Sequence, residues 1–440
     1  MYLFDRSFVR RFMKLKNVPV LVYGLGKTGM ETIKFLQKRK ASVFIFDDTS
    51  FLKIPNTQWL NEQCDLSFLK FVVVSPGIGE TKFLNKLKLF KIPVYSEFKF
   101  ACQFLKTKLI AITGTNGKTT TASLLGKILN DAGKKTIVCG NIGNPLISCI
   151  GRQKEYKFIV CEVSSFQLEN LGDVNSYISV LLNIKPDHLE RHKTFENYQE
   201  LKFSIFKKQK KRSFAIVNKN LKNKYCLHGF QNNAITFSAY EQADAYMYGD
   251  NLVYKDVSID TKKLNLFGKK NFENILTCMI VAKVCKIKPV VIVESITSFR
   301  GLDHRIQFVK EIGGVKYFDD SKATNPDSTN CALEVFDKNV ILLLGGYDKG
   351  LDYTSIFVSN KNIKALIAFG QAKDVIALCA QKNNIDKIVK CNKLKDAILK
   401  SNEIGQSGDI VLLSPACSSF DEFENFEKRG EYFADFVNGL

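Results

Sequence analysis

An α/β fold is predicted by short apolar strands that alternate with helices along all 440 residues. The alternation occurs in three series, which begin near residues 18, 109 and 315. Strands that are apolar throughout indicate parallel sheets covered on both faces. A length of about 150 residues per domain also suits about three domains. We therefore predict three α/β domains, at 1–97, 98–301 and 302–440, with Rossmann-like parallel sheets in the first and the last.

The elements of each series follow from the positions of the apolar runs. The first series predicts strands at 18–23, 42–46 and 71–74 and a helix at 30–38. The second predicts strands at 109–113, 158–163 and 178–182 and a helix at 119–130. The third predicts strands at 340–344, 365–369 and 410–413. The stretch 213–266 is polar and rich in Asn and Tyr, so we expect short strands or an irregular insertion there.

Composition limits the classes of protein and partner. With 45% hydrophobic and 25% charged residues, the chain is unlike disordered, collagen-like or coiled-coil proteins. The net charge of +20 suits nucleic acid or anionic lipid, but the lysines are spread in short pairs without a single stripe. We therefore predict no nucleic-acid and no membrane partner. No apolar run reaches the roughly 18 residues of a membrane span, and the first 20 residues lack the pattern of a signal peptide.

The cysteines indicate the compartment. All twelve are scattered, and none forms a C-x-x-C pair or a metal-finger spacing with a histidine. Free cysteines inside apolar stretches behave as small hydrophobic residues. A reducing cytoplasm is therefore the expected location.

The strongest motif is a glycine loop at 113–120, Thr-Gly-Thr-Asn-Gly-Lys-Thr-Thr, between a buried strand and a helix. The backbone N–H groups of such a loop point at phosphate oxygens. Lys118 would reach the outer phosphates of a nucleotide, and Thr119 would hold Mg²⁺. The spacing is shorter than in the usual P-loop, since two residues separate Gly114 from Gly117. The motif predicts a central ATP-binding domain of the P-loop type.

A second glycine loop, Gly-Leu-Gly-Lys-Thr-Gly at 24–29, follows the first strand. Asp47 and Asp48 lie at the end of the next strand, about 20 residues on, as in dinucleotide-binding folds. Taken alone, this arrangement would indicate NAD, but the glycines require only a close approach to some nucleotide diphosphate.

Other polar residues follow the strands of the central series. Glu162 ends a strand, where it would bind Mg²⁺ or, alternatively, cap the next helix. His188 and His192 have a helical i, i+4 spacing, which allows a zinc pair but more often marks a surface or core-lining pair. Lys202 by itself would be a solvated lysine, and an ammonium cannot ligate a metal.

The C-terminal series carries four polar segments, at 299–305, 318–326, 345–350 and 413–420. They place Ser, Thr, Lys or Arg after successive strands, where a carboxylate or phosphate would bind. Loop and cap chemistry explains one such segment, but several from one sheet favour a site.

Taken together, these segments resemble the Mur ligases of peptidoglycan synthesis, and the resemblance covers nearly the whole chain. It rests on GLGKTG, SPGI, TGTNGKTT, GNIG, EVSSFQLE, DH-x-x-RH, KKNFEN, GLDHR, DDSKATNP, GG-x-DKG and LLSPACSSFDEFENFEKRG, in that order. The resemblance implies ATP-dependent addition of D-glutamate to UDP-N-acetylmuramoyl-L-alanine, through an acyl phosphate, by a cytoplasmic monomer with Mg²⁺ at two sites. The small-molecule partners would be ATP, the UDP-sugar and D-glutamate.

The resemblance also implies a role for individual residues. The UDP-sugar would be held by Lys27, Thr28, Asp47, Asp48, Thr49, Ser75, Gly77 and Asn141. ATP would be bound by Gly114, Thr115, Asn116, Gly117, Lys118, Thr119, Thr120, Asn271, Asn274, Arg305 and Asp320. D-Glutamate would be held by Lys322, Thr324, Lys349, Ser419 and Phe426. The metal ligands would be Thr119, Glu162, His188 and a carbamylated Lys202, and catalysis would depend on Lys118, His188, Lys202 and Arg305.

Two departures and three alternatives accompany this reading. Lys270 replaces a usual His of the adenine-site motif, and Cys139 replaces a common Gly before Gly140. Within the same class, a sister Mur ligase or a folylpolyglutamate synthase shares the phosphate loop. The first glycine loop alone would suggest an NAD-dependent dehydrogenase. The basic charge alone would suggest a nucleic-acid-binding ATPase, although neither of the last two explains the C-terminal segments.

Overall fold

The computed structural model describes residues 15–141, 143–169, 176–207, 209, 212–228, 234–359 and 362–440. Most of the N-terminal segment on which the absence of a signal peptide was predicted, and Ile142 of the GNIG motif, therefore lie outside the described residues. In the described part of the chain, strands and helices alternate as the apolar pattern predicts, and twenty strands form three sheets.

The first sheet contains five parallel strands in the order β3-β2-β1-β4-β5. They are β1 (Pro19–Tyr23), β2 (Ser42–Phe46), β3 (Gln58–Trp59), β4 (Phe71–Val74) and β5 (Val94–Ser96). The helices are α1 (Lys27–Lys38), α2 (Lys82–Leu89) and α3 (Glu97–Cys102). In a parallel sheet the carboxyl ends of all strands lie at one edge, so this order places the loops after β1, β2 and β4 side by side.

The second sheet has nine strands in the order β14-β13-β12-β11-β10-β9-β6-β8-β7. Its strands are β6 (Lys108–Thr113), β7 (Thr136–Gly140), β8 (Phe158–Glu162), β9 (Ile178–Leu181), β10 (Phe214–Asn218), β11 (Ala234–Ser238), β12 (Ala245–Tyr248), β13 (Asn251–Tyr254) and β14 (Val257–Asp260). The seven strands from β7 to β12 pair in parallel, and β12, β13 and β14 are antiparallel. The polar stretch 213–266 was expected to form short strands or an irregular insertion. It contains short strands, and these extend the central sheet.

The helices of the second series differ in length, from 4 to 16 residues. They are α4 (Lys118–Asp131), α5 (Leu146–Ile150), α6 (Ser165–Leu168), α7 (Leu189–His192), α8 (Phe195–Phe203), α9 (Lys222–Leu227), α10 (Lys269–Val284) and α11 (Pro289–Thr297). The longest, α4 and α10, are both largely buried. The strand β6 lies inside the parallel part, between β9 and β8, and its residues Ile110, Ala111 and Ile112 are fully buried. This places the loop that follows β6 on a rigid support.

The third sheet contains six strands in the order β15-β16-β20-β17-β18-β19. These are β15 (Gln307–Ile312), β16 (Val315–Asp319), β17 (Val340–Gly345), β18 (Ile363–Phe369), β19 (Ile388–Cys391) and β20 (Ile410–Ala416). Only β15 pairs in an antiparallel manner. The accompanying helices are α12 (Pro326–Leu333), α13 (Thr354–Ser359), α14 (Lys373–Lys382), α15 (Leu394–Ile404) and α16 (Phe426–Asn438).

The mixed α/β class with mainly parallel sheets is therefore confirmed. By contacts the chain forms two compact units, one of residues 1–261 and 273–296, the other of residues 262–272 and 297–440. The first unit holds the first two sheets, and the second holds the third. The division into three domains stays a prediction. None of the helices in the described ranges is long and apolar enough to cross a membrane, and all twelve cysteines are free thiols.

Candidate active site

The loop between β6 and α4 is held in shape by its own neighbours in the sheet. Asn116 donates its backbone N–H to Oδ1 of Asn183 (2.9 Å), and Nδ2 of Asn183 donates back to the Asn116 carbonyl (3.1 Å). Gly117 has a φ of 82°, a left-handed conformation that favours glycine. A Cβ at this position would also collide with the side chain of Asn274. The loop is therefore pre-formed, with Lys118 as the first residue of helix α4.

Two lysines converge on one carbonyl oxygen of this loop. Nζ of Lys118 donates to the carbonyls of Gly114 (2.9 Å) and Thr115 (2.8 Å), and Nζ of Lys202 donates to the same Gly114 carbonyl (2.9 Å). The side chain of Lys202, on α8, is only 1% exposed. Burial away from water, together with the charge of Lys118, lowers the pKa of Lys202 well below its ordinary value. The alternative of a solvated lysine is therefore wrong.

A carboxylate and a hydroxyl meet at the start of helix α4. Oγ1 of Thr119 donates to Oε2 of Glu162 (2.9 Å), and Nδ2 of Asn141 donates to the other oxygen, Oε1 (3.0 Å). Glu162 is 1% exposed and ends strand β8. The alternative that Glu162 caps the following helix is wrong, because Ser164 is the N-cap of α6 and forms a capping box with Gln167. Thr119 and Glu162 together supply hard oxygen ligands of the kind that Mg²⁺ prefers.

The two histidines of the DH-x-x-RH motif have different surroundings. His192 is buried, and its Nε2 lies 3.0 Å from Oγ of Ser165. Burial lowers the pKa of His192 and thereby favours its neutral form. His188 adopts a left-handed conformation (φ 53°), and its half-exposed ring packs 4.8 Å from the ring of Phe166.

The surroundings of these two histidines bear on the predicted metal sites. Among the residues that the structure describes, no three His, Cys, Asp or Glu side chains form a group that could hold a metal ion. The zinc pair therefore has no support. The predicted set of Thr119, Glu162, His188 and carbamylated Lys202 stays a prediction, and within it Thr119 and Glu162 are in direct contact.

All eight residues predicted to hold the UDP-sugar line one cleft of about 580 Å³ in the first unit. Its walls are the loops after β1, β2 and β4, and Gly140, Asn141 and Gln167 close the side toward the second sheet. The predicted residues in this cleft are Lys27, Thr28, Asp47, Asp48, Thr49, Ser75, Gly77 and Asn141. Asn141 therefore belongs both to this cleft and to the surroundings of the phosphate loop, because its side chain bonds Glu162 beside that loop.

The two aspartates of the cleft are held by the protein itself. Oδ2 of Asp47 accepts the backbone N–H of Leu25 (2.7 Å), and Oδ1 accepts bonds from Thr49 and Ser50. Partial burial raises the pKa of Asp47, but these hydrogen bonds outweigh it, and the net shift is downward. Asp48 accepts a bond from the hydroxyl of the buried Tyr23 (2.7 Å). Asp47 thus holds the glycine loop in shape, whereas the sequence analysis assigned this residue only to ligand binding.

In the second unit, four of the residues predicted for D-glutamate lie on loops after β16, β17 and β20, and Phe426 is the first residue of helix α16. Nζ of Lys349 donates to the Thr324 carbonyl (3.1 Å), and Nζ of Lys322 lies 5.2 Å from the ring centre of Phe426. Ser419 is buried just after β20. The structure therefore pairs Lys349 with Thr324 and Lys322 with Phe426, and the role of the five side chains in binding D-glutamate stays a prediction.

Arg429 was missed by sequence reasoning, although it organises these loops. It is 1% exposed and donates to Oγ and the carbonyl of Ser321 and to the carbonyls of Cys417 and Ser418, at 2.9 to 3.1 Å. It therefore joins the loop after β16 to the loop after β20. In the sequence, Arg429 is an arginine within an amphipathic helical pattern. That pattern does not reveal that its side chain is buried.

The remaining residues predicted for ATP divide between the units. Asn274 contacts Gly117 in the first unit, whereas Asn271 donates to the Phe267 carbonyl (2.9 Å) in the second. Asp320 is buried and accepts a bond from Oγ of Ser414 (2.7 Å), and burial raises its pKa to about 8. Lys270, one of the two departures, forms an ion pair with Glu334 inside the second unit.

Comparisons with known proteins place this arrangement in a class. The model of the Mur ligase middle domain matches residues 112–282, and that of the "Mur ligase, glutamate ligase domain" matches residues 304–417. The chain belongs to the Mur ligase family. Similar proteins named UDP-N-acetylmuramoylalanine–D-glutamate ligase include those of Thermoanaerobacter pseudethanolicus, 38% identical over 97% of this chain and 100% of the relative, and Caldicellulosiruptor bescii, 39% identical over 97% and 99%. The protein of Clostridioides difficile with the same name is 38% identical over 97% and 100%.

Solved structures show the same fold at lower identity. MurF ligase from Thermotoga maritima in complex with ADP has a TM-score of 0.58 at 18% identity, covering 96% of this chain and 97% of that one. The UDP-N-acetylmuramate–alanine ligase MurC from Thermotoga maritima has a TM-score of 0.56 at 14% identity, covering 96% and 99%. Membership of this family sets aside the dehydrogenase and the nucleic-acid-binding ATPase as the class of this enzyme.

Proposed function

We propose that this chain is the ATP-dependent ligase that adds D-glutamate to UDP-N-acetylmuramoyl-L-alanine through an acyl-phosphate intermediate. The observation that carries the proposal is the double role of Asn141. It lines the cleft in which the nucleotide sugar would lie, and it bonds Glu162 beside the phosphate loop. A substrate in that cleft would therefore extend toward the site where ATP phosphates bind. The full-length relatives with this name support the choice of D-glutamate over the amino acids used by sister ligases.

The chemistry explains why a phosphate loop accompanies a nucleotide-sugar cleft. A carboxylate is a poor acyl donor to an amine at neutral pH, so the L-alanyl carboxylate must first be activated. Its oxygen attacks the γ-phosphorus of ATP, the bond to ADP breaks, and an acyl phosphate forms. The amine of D-glutamate then attacks the acyl carbon and loses a proton, and phosphate leaves. Both steps depend mainly on neutralising charge and on positioning the reactants.

Lys118 has the central part in the first step. In the structure its ammonium donates to two loop carbonyls, Gly114 and Thr115, beside the N-terminus of α4. We infer that it exchanges these bonds for oxygens of the transferred phosphoryl group, where negative charge grows in the transition state. The backbone of residues 114–117, including Thr115 and Asn116, and the first turn with Thr119 and Thr120 would hold the remaining phosphate oxygens. Arg305, Asn271 and Asp320 are assigned to ATP by family resemblance.

Magnesium fits the donor set beside this loop. Thr119 and Glu162 would hold the ion, because their oxygens already lie 2.9 Å apart in a buried setting. When bound, Mg²⁺ would neutralise phosphate charge and lower the cost of bringing the acyl carboxylate close. A second site, with His188 and a carbamylated Lys202, is part of the proposal.

Carbamylation of Lys202 has a physical basis in its burial. The lowered pKa favours the neutral amine, whose nitrogen can attack CO₂. A new N–C bond forms, one proton leaves, and the side chain gains an anionic oxygen group. That change would turn a residue that cannot bind metal into one that can, and it would pair with the charge of the neighbouring Lys118.

The remaining assignments complete the proposal. Lys322, Thr324, Lys349, Ser419 and Phe426 would hold D-glutamate, the first and third by charge. Three domains, for the UDP-sugar, ATP and the amino acid, would be arranged along the chain at 1–97, 98–301 and 302–440. A monomeric state and a cytoplasmic location are predicted from the sequence and belong to the same proposal.

Phosphate release from Mg-ATP tests the function. The enzyme would be given UDP-N-acetylmuramoyl-L-alanine with D-glutamate, L-glutamate, another amino acid or none. We expect release only with D-glutamate, together with an equal amount of the amide product by mass spectrometry. Release with a different amino acid would move the chain to a sister ligase, and no release with any of them would contradict the proposal.

A further inference from the structure

The side chain of Arg191, at the third position of α7, has more long-range contacts than its place in a short surface helix suggests. Its Nε and Nη2 donate to the two oxygens of Glu169, at 2.8 and 2.7 Å, in a bidentate pair. Its Nη1 donates to the Pro76 carbonyl (3.0 Å), and Nη2 also donates to the Ile78 carbonyl (2.9 Å). The guanidinium thus joins helix α7 to a loop that lies 113 to 115 residues earlier in the chain.

The two carbonyls belong to the loop after β4 that lines the nucleotide-sugar cleft. Pro76, Gly77 and Ile78 all contribute to its wall. Within the loop, the turn is closed by a local bond from the Ile78 N–H to the Ser75 carbonyl (3.1 Å). A local turn of this kind sets the shape of the loop but not its position against the second sheet. The bonds from Arg191 supply that position, and charge-assisted bonds of this geometry are among the stronger ones in proteins.

The other side of Arg191 faces the residues of the phosphate site. Its guanidinium carbon lies 4.2 Å from the ring centre of Phe166, and that ring also packs against His188. The backbone N–H of Arg191 donates to the His188 carbonyl (3.1 Å). A change in the position of Arg191 would therefore displace both the cleft loop and the turn that carries His188.

We propose that Arg191 is a positioning residue for the nucleotide sugar, because it holds the loop 75–79 of the cleft against the Phe166 and His188 segment of the phosphate site. In this role it contacts neither ATP nor the reacting atoms. Its effect is to keep the cleft at the distance at which the substrate carboxylate reaches the phosphate. The ligand of the cleft is taken from the function proposed above.

Kinetics of Arg191→Ala and Arg191→Lys test this role against a matched control. Loss of the two loop contacts should raise the KM for UDP-N-acetylmuramoyl-L-alanine by about tenfold to a hundredfold, as expected for charged hydrogen bonds. The KM values for ATP and D-glutamate should stay within about twofold. Arg191→Lys keeps the charge but not the planar fork, so it should lie between the wild type and the alanine variant.

Arg152→Ala is the control, because Arg152 also forms a bidentate pair with a glutamate, Glu155, but on the surface between i and i+3. It should leave all three KM values unchanged. Calorimetric binding of the UDP-sugar alone, without ATP or D-glutamate, should show the same order of affinities. Thermal melting of each variant would show whether the Arg191→Ala protein is folded. If it is not, the KM values and affinity of Arg191→Lys are the test of the proposed role.

The outcomes separate this role from the proposed function. Wild-type turnover with unchanged KM and affinity in Arg191→Ala, or in Arg191→Lys if the alanine variant is unfolded, would overturn the role of Arg191 alone. A loss confined to kcat, or an equal rise in all three KM values, would also overturn it. A wild type that binds the UDP-sugar but releases no phosphate would overturn the proposed reaction, while the affinities still test Arg191. A wild type that does not bind the UDP-sugar would overturn both.

Discussion

Two glycine loops in this molecule share a sequence pattern but differ in what surrounds them. Both follow a buried parallel strand and open a helix, the first at 24–29 and the second at 114–117. The first is surrounded by hydroxyls and carboxylates, since Ser75 bonds the Gly24 carbonyl and Asp47 accepts the Leu25 N–H. The second is surrounded by two lysines, a threonine and a buried glutamate.

The difference teaches that a glycine turn provides access for phosphate but does not define the chemistry. Around the second loop, Lys118 and Lys202 converge on a single carbonyl oxygen, and Glu162 touches Thr119. Such a set can stabilise charge that moves during a reaction. Around the first loop, Asp47 instead holds the backbone at Leu25, which suits a site that binds and does not transform its ligand.

The largest expected effect comes from removing the cation of the second loop. Lys118→Ala should lower kcat by about a thousandfold or more, because the transferred phosphoryl group loses its fixed positive charge. Phosphate release measures this, and Lys127→Ala is the control, since Lys127 lies on the same helix and pairs with Asp131 at the surface. The control should keep wild-type activity and both proteins should melt near the wild-type temperature. Substantial turnover in Lys118→Ala would show that the two loops do not differ as described.

Lys202→Ala should have the next largest effect, a loss of about a hundredfold or more in kcat. If the wild-type lysine is carbamylated, added acetate or another short carboxylate should restore part of the activity. The same carboxylate should leave Lys118→Ala without activity, which serves as the control. Depletion of CO₂ should lower wild-type activity, and added bicarbonate should restore it. A variant with wild-type rates would leave Lys202 a buried structural residue.

A smaller effect, on stability, is expected from the glycines of the first loop. A Cβ at Gly29 would collide with the Gly24 carbonyl, whereas a Cβ at Gly26 would meet nothing within 4 Å. Gly29→Ala should therefore lower the free energy of unfolding by about 1–3 kcal/mol, and Gly26→Ala should change it by less than about 0.5 kcal/mol. Denaturant unfolding without ligand measures both. Equal stabilities would mean that the turn relaxes freely, contrary to the close packing of its backbone.

The smallest effect is a pH dependence of stability at Asp47. Its pKa is lowered in the folded protein, because the bonds from Leu25, Thr49 and Ser50 outweigh its partial burial. A group with a depressed folded pKa stabilises the protein above its unfolded pKa, and this contribution is lost as pH falls through the folded value. Asp47→Asn should therefore be less stable than the wild type by about 1 kcal/mol near neutral pH. The difference should shrink in acid, and a difference that is independent of pH would contradict this account.

Much of the fold could be predicted from apolar patterning. The strands Ser42–Phe46 and Phe71–Val74 have the predicted bounds, because each is a continuous apolar run between turn residues. The strand β19 escaped prediction because its sequence, Ile-Val-Lys-Cys, is short and half-buried at a sheet edge. For the region of β12, β13 and β14 the sequence predicted only short strands or an irregular insertion, without bounds, since their stability comes from pairing with one another and with the central sheet.

The candidate site was predicted less evenly. Residues within glycine loops, such as Gly117 and Lys118, carry a local signal because the backbone conformation itself requires the motif. Arg191 and Arg429 belong to the DH-x-x-RH and FEKRG segments, but neither segment reveals their contacts, since their partners Pro76 and Ser321 are more than 100 residues away in the chain. A side chain whose role depends on a distant partner looks like any surface residue when only its neighbours in sequence are known.

The sequence by itself determined the alternation of strands and helices, the two glycine turns and the residue types that reach phosphate and carboxylate. These depend on local backbone sterics, apolar periodicity and side-chain chemistry, which act within a few residues. Only the tertiary structure decided that Asn141 serves the cleft and Glu162 at once, that Lys202 is buried against the phosphate loop, and that Arg191 joins the cleft loop to His188. The physical reason is that burial and long-range hydrogen bonds arise when parallel strands bring their carboxyl ends to a common edge, and neither exists until the sheets have formed.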